Sequence, residues 1–211
     1  MDPRLFINAF SDVISSGLPG EKSHGEAMPV NRKFTSDSLK IAPDVRNSAV
    51  GIILYPKASS FQSILIQRPD YNGTHGNQIS FPGGKMDQED PNLEYTARRE
   101  CMEEIALPMN SGKMIGELSS VHIPVSKFLV KPFVFFVDEL PQLHPDEREV
   151  ASIIHFDVFD LINEANLKTT DIKFRQGFVQ KNVPYYDIKG HVVWGATAMM
   201  LAELKAILKQ L

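Results

Sequence analysis

Between residues 84 and 104 the chain carries seven acids, Asp87, Glu89, Asp90, Glu94, Glu100, Glu103 and Glu104, against three bases, Lys85, Arg98 and Arg99. Acids and bases balance over the rest of the chain, so the formal charge of -4 resides in this one segment. Three of the acids could do chemistry together. On a helix turning about 100° per residue, Glu100, Glu103 and Glu104 fall within an arc of roughly 100°, beside an apolar strip of Ala97, Cys101, Met102 and Ile105. Like charges this close repel by ~0.2 to 0.5 kcal/mol per pair, so something positive belongs there. Arg99 can meet Glu103 at i,i+4, which alone would make a solvated ionic face. The sharper reading is a divalent cation, because hard oxygen ligands suit Mg²⁺ or Mn²⁺, and Mg²⁺ often combines a few carboxylates with water and substrate phosphates. Such a centre would handle a phosphorylated small molecule.

Composition narrows the alternatives. With 211 residues, 43% of them hydrophobic, the chain can bury a core without staples. The single cysteine, Cys101, excludes an intrachain disulfide, and none of the six histidines stands at zinc-site spacing with it. The mildly acidic balance argues against a nucleic-acid partner. No apolar run approaches the ~18 residues of a membrane span, and the amino terminus MDPRLFINAF has no basic leader. A soluble, cytoplasmic protein without a membrane partner is expected, and a homodimer is left open.

The elements that must position the acids follow from pattern. Leu5, Phe6, Ala9, Phe10, Val13 and Ile14 predict a helix over residues 3 to 16, stopped by Gly17-Leu18-Pro19-Gly20. The polar stretch from Gly20 to Asn47 is either an ordered excursion or a mobile segment. Ala49 to Tyr55 and Ser63 to Gln67 read as a strand pair, and Ile79-Ser80-Phe81 leads into a Pro82-Gly83-Gly84 turn. Asp90 as N-cap with Pro91 at the first helical position is the expected start of the acidic helix. Gly116 to Val121, Phe133 to Val137 and Ala151 to Phe156 are expected strands, and Val158 to Ala165 a short helix. A hairpin of Tyr185 to Ile188 with His191 to Trp194 follows, then an amphipathic helix from Ala196 to Leu211, with Trp194 placed in the core. Residues 1–46 would be an N-terminal helix and extension, and 47–211 the catalytic domain with its C-terminal helix.

The stretch GKMDQEDPNLEYTARRECMEEIAL, Gly84 to Leu107, together with the preceding FPGG, closely resembles the Nudix box, G-x5-E-x7-R-E-U-x-E-E-x-G-U, where U is a bulky apolar residue. Three departures stand out: Asp90 replaces the first Glu, eight residues separate it from Arg99, and Ala106 replaces the late Gly. If that last position needs a left-handed backbone, Ala costs about 1 to 2 kcal/mol there. Upstream, LIQRPDYNGTHGNQISFPGG (Leu65 to Gly84) resembles the signature of the coenzyme A diphosphatase branch at Arg68, His75 and Gln78, with Asn77 in place of a usual Gly.

The resemblance implies the Nudix fold, an α/β/α sandwich around a mixed β-sheet, with the box as loop, helix and loop. It implies a hydrolase that splits a diphosphate linkage using Mg²⁺ or Mn²⁺, most closely that of coenzyme A or its thioesters. Glu100 and Glu104 are carried over as metal ligands, Glu103 as a further ligand or a base, and Arg99 as the residue holding the carboxylates in position. Arg68, His75, Gln78, Gly83 and Gly84 are expected against substrate, the glycines by letting backbone approach phosphate. Glu103, Glu147 and Glu149 are the candidate general bases. Cys101 is expected buried and inert. Two alternatives remain: a Nudix pyrophosphatase acting on ADP-ribose or another nucleoside diphosphate derivative, and a catalytically silent Nudix-like sensor of a nucleotide metabolite.

Overall fold

The structure is a computed structural model that describes residues 2–30, 32–41, 44–70, 77–174 and 177–211. Its centre is a parallel pair of long strands, β1 (Arg46–Lys57) and β7 (Phe128–Phe136), in register from Arg46 opposite Phe128 to Leu54 opposite Phe136. β1 is flanked on its other edge by β4 (Gly83–Lys85) near its start and by β2 (Ser60–Gln67) near its end, both antiparallel. β2 extends the sheet through β3 (Ile79–Ser80) and β8 (Ser152–Asp157), while β5 (Lys113–Glu117) and β6 (Val121–Ile123) close the far side against β7. The result is a mixed eight-stranded sheet.

Because β1 and β7 are covered on both faces, their sequences run nearly continuously apolar and alternate between two cores. Ala49, Ile53, Tyr55, Phe133 and Phe135 face helix α4 (Leu93–Ile105), together with Ala97, Cys101 and Ile105. Val50, Ile52, Leu54, Val134 and Phe136 face helix α5 (Gly195–Leu208) on the opposite side. The expected layering, helix on sheet on helix, is therefore observed. Gly51 has no side chain because a Cβ there would lie 2.5 Å from Cys101 Sγ, which sets how closely α4 approaches the sheet.

The N-terminal helix α1 spans Pro3–Ser16 as its periodicity predicts, with Asp2 as N-cap. Its Phe6 and Phe10 are fully buried in the α5-side core, where Phe6 stacks on Phe61 with ring centroids 4.0 Å apart. Between residues 17 and 46 the described residues are ordered: α2 (Glu21–His24), a 3₁₀ turn (Gly25–Ala27) and α3 (Thr35–Ile41) wrap around α5 and the sheet edge. That wrapping corrects the reading of the C-terminal helix as amphipathic. α5 is buried nearly all round, from Thr197 to Lys205 without a break. Its Glu203 meets His24 at 3.0 Å with both side chains fully buried, and its Lys205 pairs with Glu26 and Glu164.

Other expectations shift. Gly116 to Val121 is not one strand: β5 ends at Glu117 and β6 begins at Val121, because Ser119 turns to give its N–H and hydroxyl to Glu203. Val158 to Ala165 forms two 3₁₀ turns instead of a helix, each started by a side-chain cap, Asp157 and Asn163. β9 (Leu167–Lys173), whose exposed, charged residues carry no apolar period, was invisible in the pattern, and it pairs with a longer β10 (Val179–Ile188). β11 (His191–Trp194) completes this second, three-stranded sheet. Trp194 is only half-buried: it sits immediately before α5, edge-on to Phe174 at 5.8 Å, outside the main core.

Candidate active site

The acidic segment folds around α4, and its start differs from the expected one. Asn92, not Asp90, is the N-cap: its side-chain oxygen accepts from Tyr95 N at 2.9 Å, and the helix begins at Leu93. Asp90 is turned inward for a stronger partner. Its two oxygens accept from Arg99 Nε and Nη2 at 3.0 Å each, a forked pair, while Oδ2 also accepts from Asp87 N and Thr96 Oγ1. Fixed parallel donors suit a carboxylate well. The guanidinium holds the buried Asp90 carboxyl down at about 2, against 3.8 for an unperturbed group. The spacing of nine residues hid this pair, since helical pairing predicts partners only three or four apart.

Arg99 is the hub of the helix's acidic side. Besides Asp90 it reaches Glu103 at 2.8 Å, Glu100 at 3.0 Å and the Lys85 carbonyl at 3.1 Å. Glu103 is half-exposed and tied to Arg99, as i,i+4 spacing predicts. Glu104 is different. It is buried at the floor of the site, accepting from Gly83 N at 2.8 Å and from Arg68 Nη2 at 3.1 Å. Burial pushes its carboxyl up to about 7, with Arg68 and the Gly83 N–H opposing and the charges of Glu100 and Glu149 adding. Burial also raises Glu100, again with Arg99 opposing and with Glu103 and Glu149 adding.

The Gly83-Gly84 turn, expected against substrate phosphate, packs at Gly84 closely on one of the protein's own carboxylates. A Cβ on Gly84 would stand 2.5 Å from the Glu100 carboxylate, so the missing side chain leaves Glu100 its place. Ser48 Oγ donates to the Gly84 carbonyl at 2.5 Å and pins the turn to β1. Arg68, at the end of β2, donates to the Gly83 carbonyl and to Glu104, so it lies in the site with Nη2 engaged by the turn and the buried acid. The Gln78 carbonyl accepts from Arg68 N at 3.0 Å and closes the loop between them. His75 lies outside the described residues.

The far end of α4 carries the departure at Ala106, and the backbone there is left-handed, φ 56° and ψ 30°. Ala106 N and Leu107 N close the helix on Met102 O and Cys101 O. A loop then caps the last carbonyls from outside, His144 N on Ile105 O and Asp146 N on Glu104 O, and returns to the sheet through Ala151 N on Gln67 O. This loop carries the exposed Glu147 and Glu149 and brings the charge of Glu149 to bear on both Glu100 and Glu104. Cys101 is buried as expected, its thiol pushed far up by burial and by the neighbouring carboxylates, which makes it inert.

Among the described residues no three of His, Cys, Asp and Glu converge into a ready-made metal cage. The donor chemistry nevertheless fits a hard divalent ion at Glu100 and Glu104. These two carboxylates sit one turn apart, burial raises both, the charge of Glu100 adds to the rise at Glu104, and the bare Gly84 backbone lies beside Glu100. Glu103 stands on the exposed side of the same group, sharing Arg99 Nη1 with Glu100.

Comparison with known proteins gives this architecture its class. The family model of the NUDIX domain matches residues 45–178, well over half of the chain. The protein belongs to the Nudix family and is a Nudix hydrolase, acting on a pyrophosphate-containing substrate. Among curated relatives, "Uncharacterized Nudix hydrolase NudL" of Yersinia enterocolitica is 31% identical over 141 residues, covering 67% of this chain and 71% of its own. The Enterobacter protein of the same description is 30% identical over 167 residues, covering 78% of this chain and 85% of its own. A solved structure of a Caenorhabditis elegans Ap4A hydrolase complex superposes with a TM-score of 0.51 at 15% identity over 79% of this chain and all of that one, which shows the shared fold. No helix among the described residues is long and apolar enough to cross a membrane.

Proposed function

We propose that the substrate is coenzyme A or one of its thioesters, hydrolysed at the diphosphate to 4'-phosphopantetheine, or its acyl form, and adenosine 3',5'-bisphosphate. The observation that carries this reading is where the upstream signature lands. Arg68, immediately after β2, donates to Glu104 and the Gly83 carbonyl, which supports reading the upstream segment and the box as parts of one site. The departure at Asn77 is conservative in backbone terms. Asn77 has φ 59°, and Asn is the residue that best replaces Gly in a left-handed position.

Glu100 and Glu104 would hold Mg²⁺ or Mn²⁺, which when bound supplies charge neutralisation for the diphosphate and a more acidic water. The chain's own groups do the rest. Arg99, fixed by Asp90, holds Glu100 in place, and the Gly83 N–H and Arg68 hold Glu104. Arg68 also carries positive charge to the rim where phosphate oxygens arrive. Glu149 accepts a proton from the attacking water at a carboxylate oxygen: it is exposed, placed by a loop bolted to α4, and of the loop's acids it is the one whose charge bears on Glu100 and Glu104. Water adds in line to one phosphorus, the bridging P–O bond breaks, and the second phosphate leaves.

The test is product analysis by mass spectrometry after incubating the protein with Mg²⁺ or Mn²⁺ and coenzyme A, ADP-ribose, NADH and a nucleoside triphosphate in parallel. Fastest release of the two named products from coenzyme A is the expected result. Preference for another diphosphate would discard the coenzyme A assignment while keeping the box chemistry, and no turnover would favour the silent sensor.

A further inference from the structure

Away from the box, the N-terminal excursion builds a second concave site. A cavity of about 460 Å³ is lined by Met28, Arg32, Lys33, Phe34, Asp37 and Lys40. Three of these six are cationic against one acid, Asp37, which pairs with Lys40 at 3.0 Å, so the lining keeps a net charge of +2 in a chain whose net charge is -4. Met28 and Phe34 supply an apolar wall.

Arg32 is the distinctive member. Its Nη2 donates to the His122 carbonyl at 2.6 Å, on the open edge of β6, where Thr35 Oγ1 accepts from His122 N at 3.0 Å. The excursion thus satisfies a sheet edge that would otherwise be bare. The guanidinium pays heavily for that position. Burial lowers Arg32 to about 10, with no carboxylate among the causes to offset it, and its Nε is buried without a hydrogen-bond partner. A desolvated cation that lacks a counter-charge is costly, and an anion seated in the cavity would relieve it.

Arg32 also stands in line with the box. Met86 N bonds Asn47 O, Asn47 lies opposite Leu129, and Leu129 lies opposite His122. At a strand spacing of about 4.8 Å these three steps put His122 about 14 Å from the box loop. From the uncompensated guanidinium, the net positive lining and the apolar wall, we infer that this cavity binds the phosphate monoester of a small organic molecule, phosphate on Arg32 and Lys33 with Lys40 offsetting Asp37 beside them, and the organic part against Phe34 and Met28. The phosphate belongs either to a free metabolite or to the far end of a substrate held at the box.

The test uses the double variant Lys33→Ala/Lys40→Ala, whose side chains are exposed and lie outside the catalytic machinery. Calorimetric titration of the full-length protein with adenosine 3',5'-bisphosphate and with inorganic phosphate, in metal-free buffer, is compared between wild type and variant. Binding should weaken about tenfold in the variant, the equivalent of one good charge-assisted contact. Arg32→Gln should weaken it further, with circular dichroism to check the β6 edge. In parallel, kcat/KM is compared for coenzyme A and for dephospho-coenzyme A, which lacks the 3'-phosphate. A loss confined to coenzyme A assigns the site to the substrate's own phosphate, and weakened probe binding with an unchanged ratio assigns it to a separate metabolite. Probe affinity and substrate ratio both unaltered in the double variant would overturn the inference. The titration does not depend on the coenzyme A reading, so the failure of one leaves the other standing.

Discussion

Replacing Asp90 with Asn removes the charge around which Arg99 is organised. The Asp90 carboxyl is held at about 2 in the folded protein against 3.8 for the unperturbed group, and its side chain is almost wholly shielded from solvent. A depression of this size corresponds to roughly 2 kcal/mol of stability near neutral pH. Since the folded value is the lower one, that stabilisation is fully present above the unfolded value and is lost as pH falls through about 2. By linkage, about half of it is gone near pH 3. In a domain of this size 1 kcal/mol moves Tm by about 2 to 4 °C, so Asp90→Asn should melt roughly 4 to 8 °C below wild type at pH 7. Thermal melts of both proteins from pH 7 down to pH 3, followed by circular dichroism, should show that gap narrowing steadily with acid. A gap of less than about 1 °C at pH 7, or one that stays constant down to pH 3, would refute the clamp as the origin of Arg99's position.

Glu104→Gln should lower kcat by ~10³-fold or more, about 4 kcal/mol of transition-state stabilisation, with the fold retained by circular dichroism, and near wild-type turnover would remove Glu104 from the reaction. Arg68→Ala should raise KM and also reduce kcat, because Arg68 steadies Glu104 as well as facing the rim, and steady-state kinetics separates the two. Glu149→Gln should lower kcat by ~10²-fold or more with KM little changed if Glu149 accepts the proton, whereas near wild-type kcat returns that role to another group. Ala106→Gly should stabilise the protein by about 1 kcal/mol, since the left-handed backbone at φ 56° suits Gly better than Ala, and urea denaturation at constant m-value measures it.

Elements whose signal is local could be read from residue order alone. α1 was legible because its apolar residues recur on one helical face, and β1 and β2 because apolar β-branched runs are bounded by turn residues. The three box glutamates stood out because like charges on one helix face demand a reason. The resemblance over residues 84 to 107 then named the chemistry, and the family match agrees with it. Features that depend on partners distant in sequence emerge only in the folded chain. Asp90 could pass for a cap until Arg99 was seen to fork onto it, leaving Asn92 to start the helix. Glu100, Glu103 and Glu104 are equal in the sequence, yet Gly83 and Arg68 take Glu104 inward while Arg99 holds Glu103 outside. α5 reads as amphipathic alone because its charged Glu203 and Lys205 look solvent-bound, but His24, Ser119, Glu26 and Glu164 come from elsewhere to pair them in the interior. Period and composition report the local free energy of a segment, and burial of a charge is settled only by the groups that the completed fold brings to meet it.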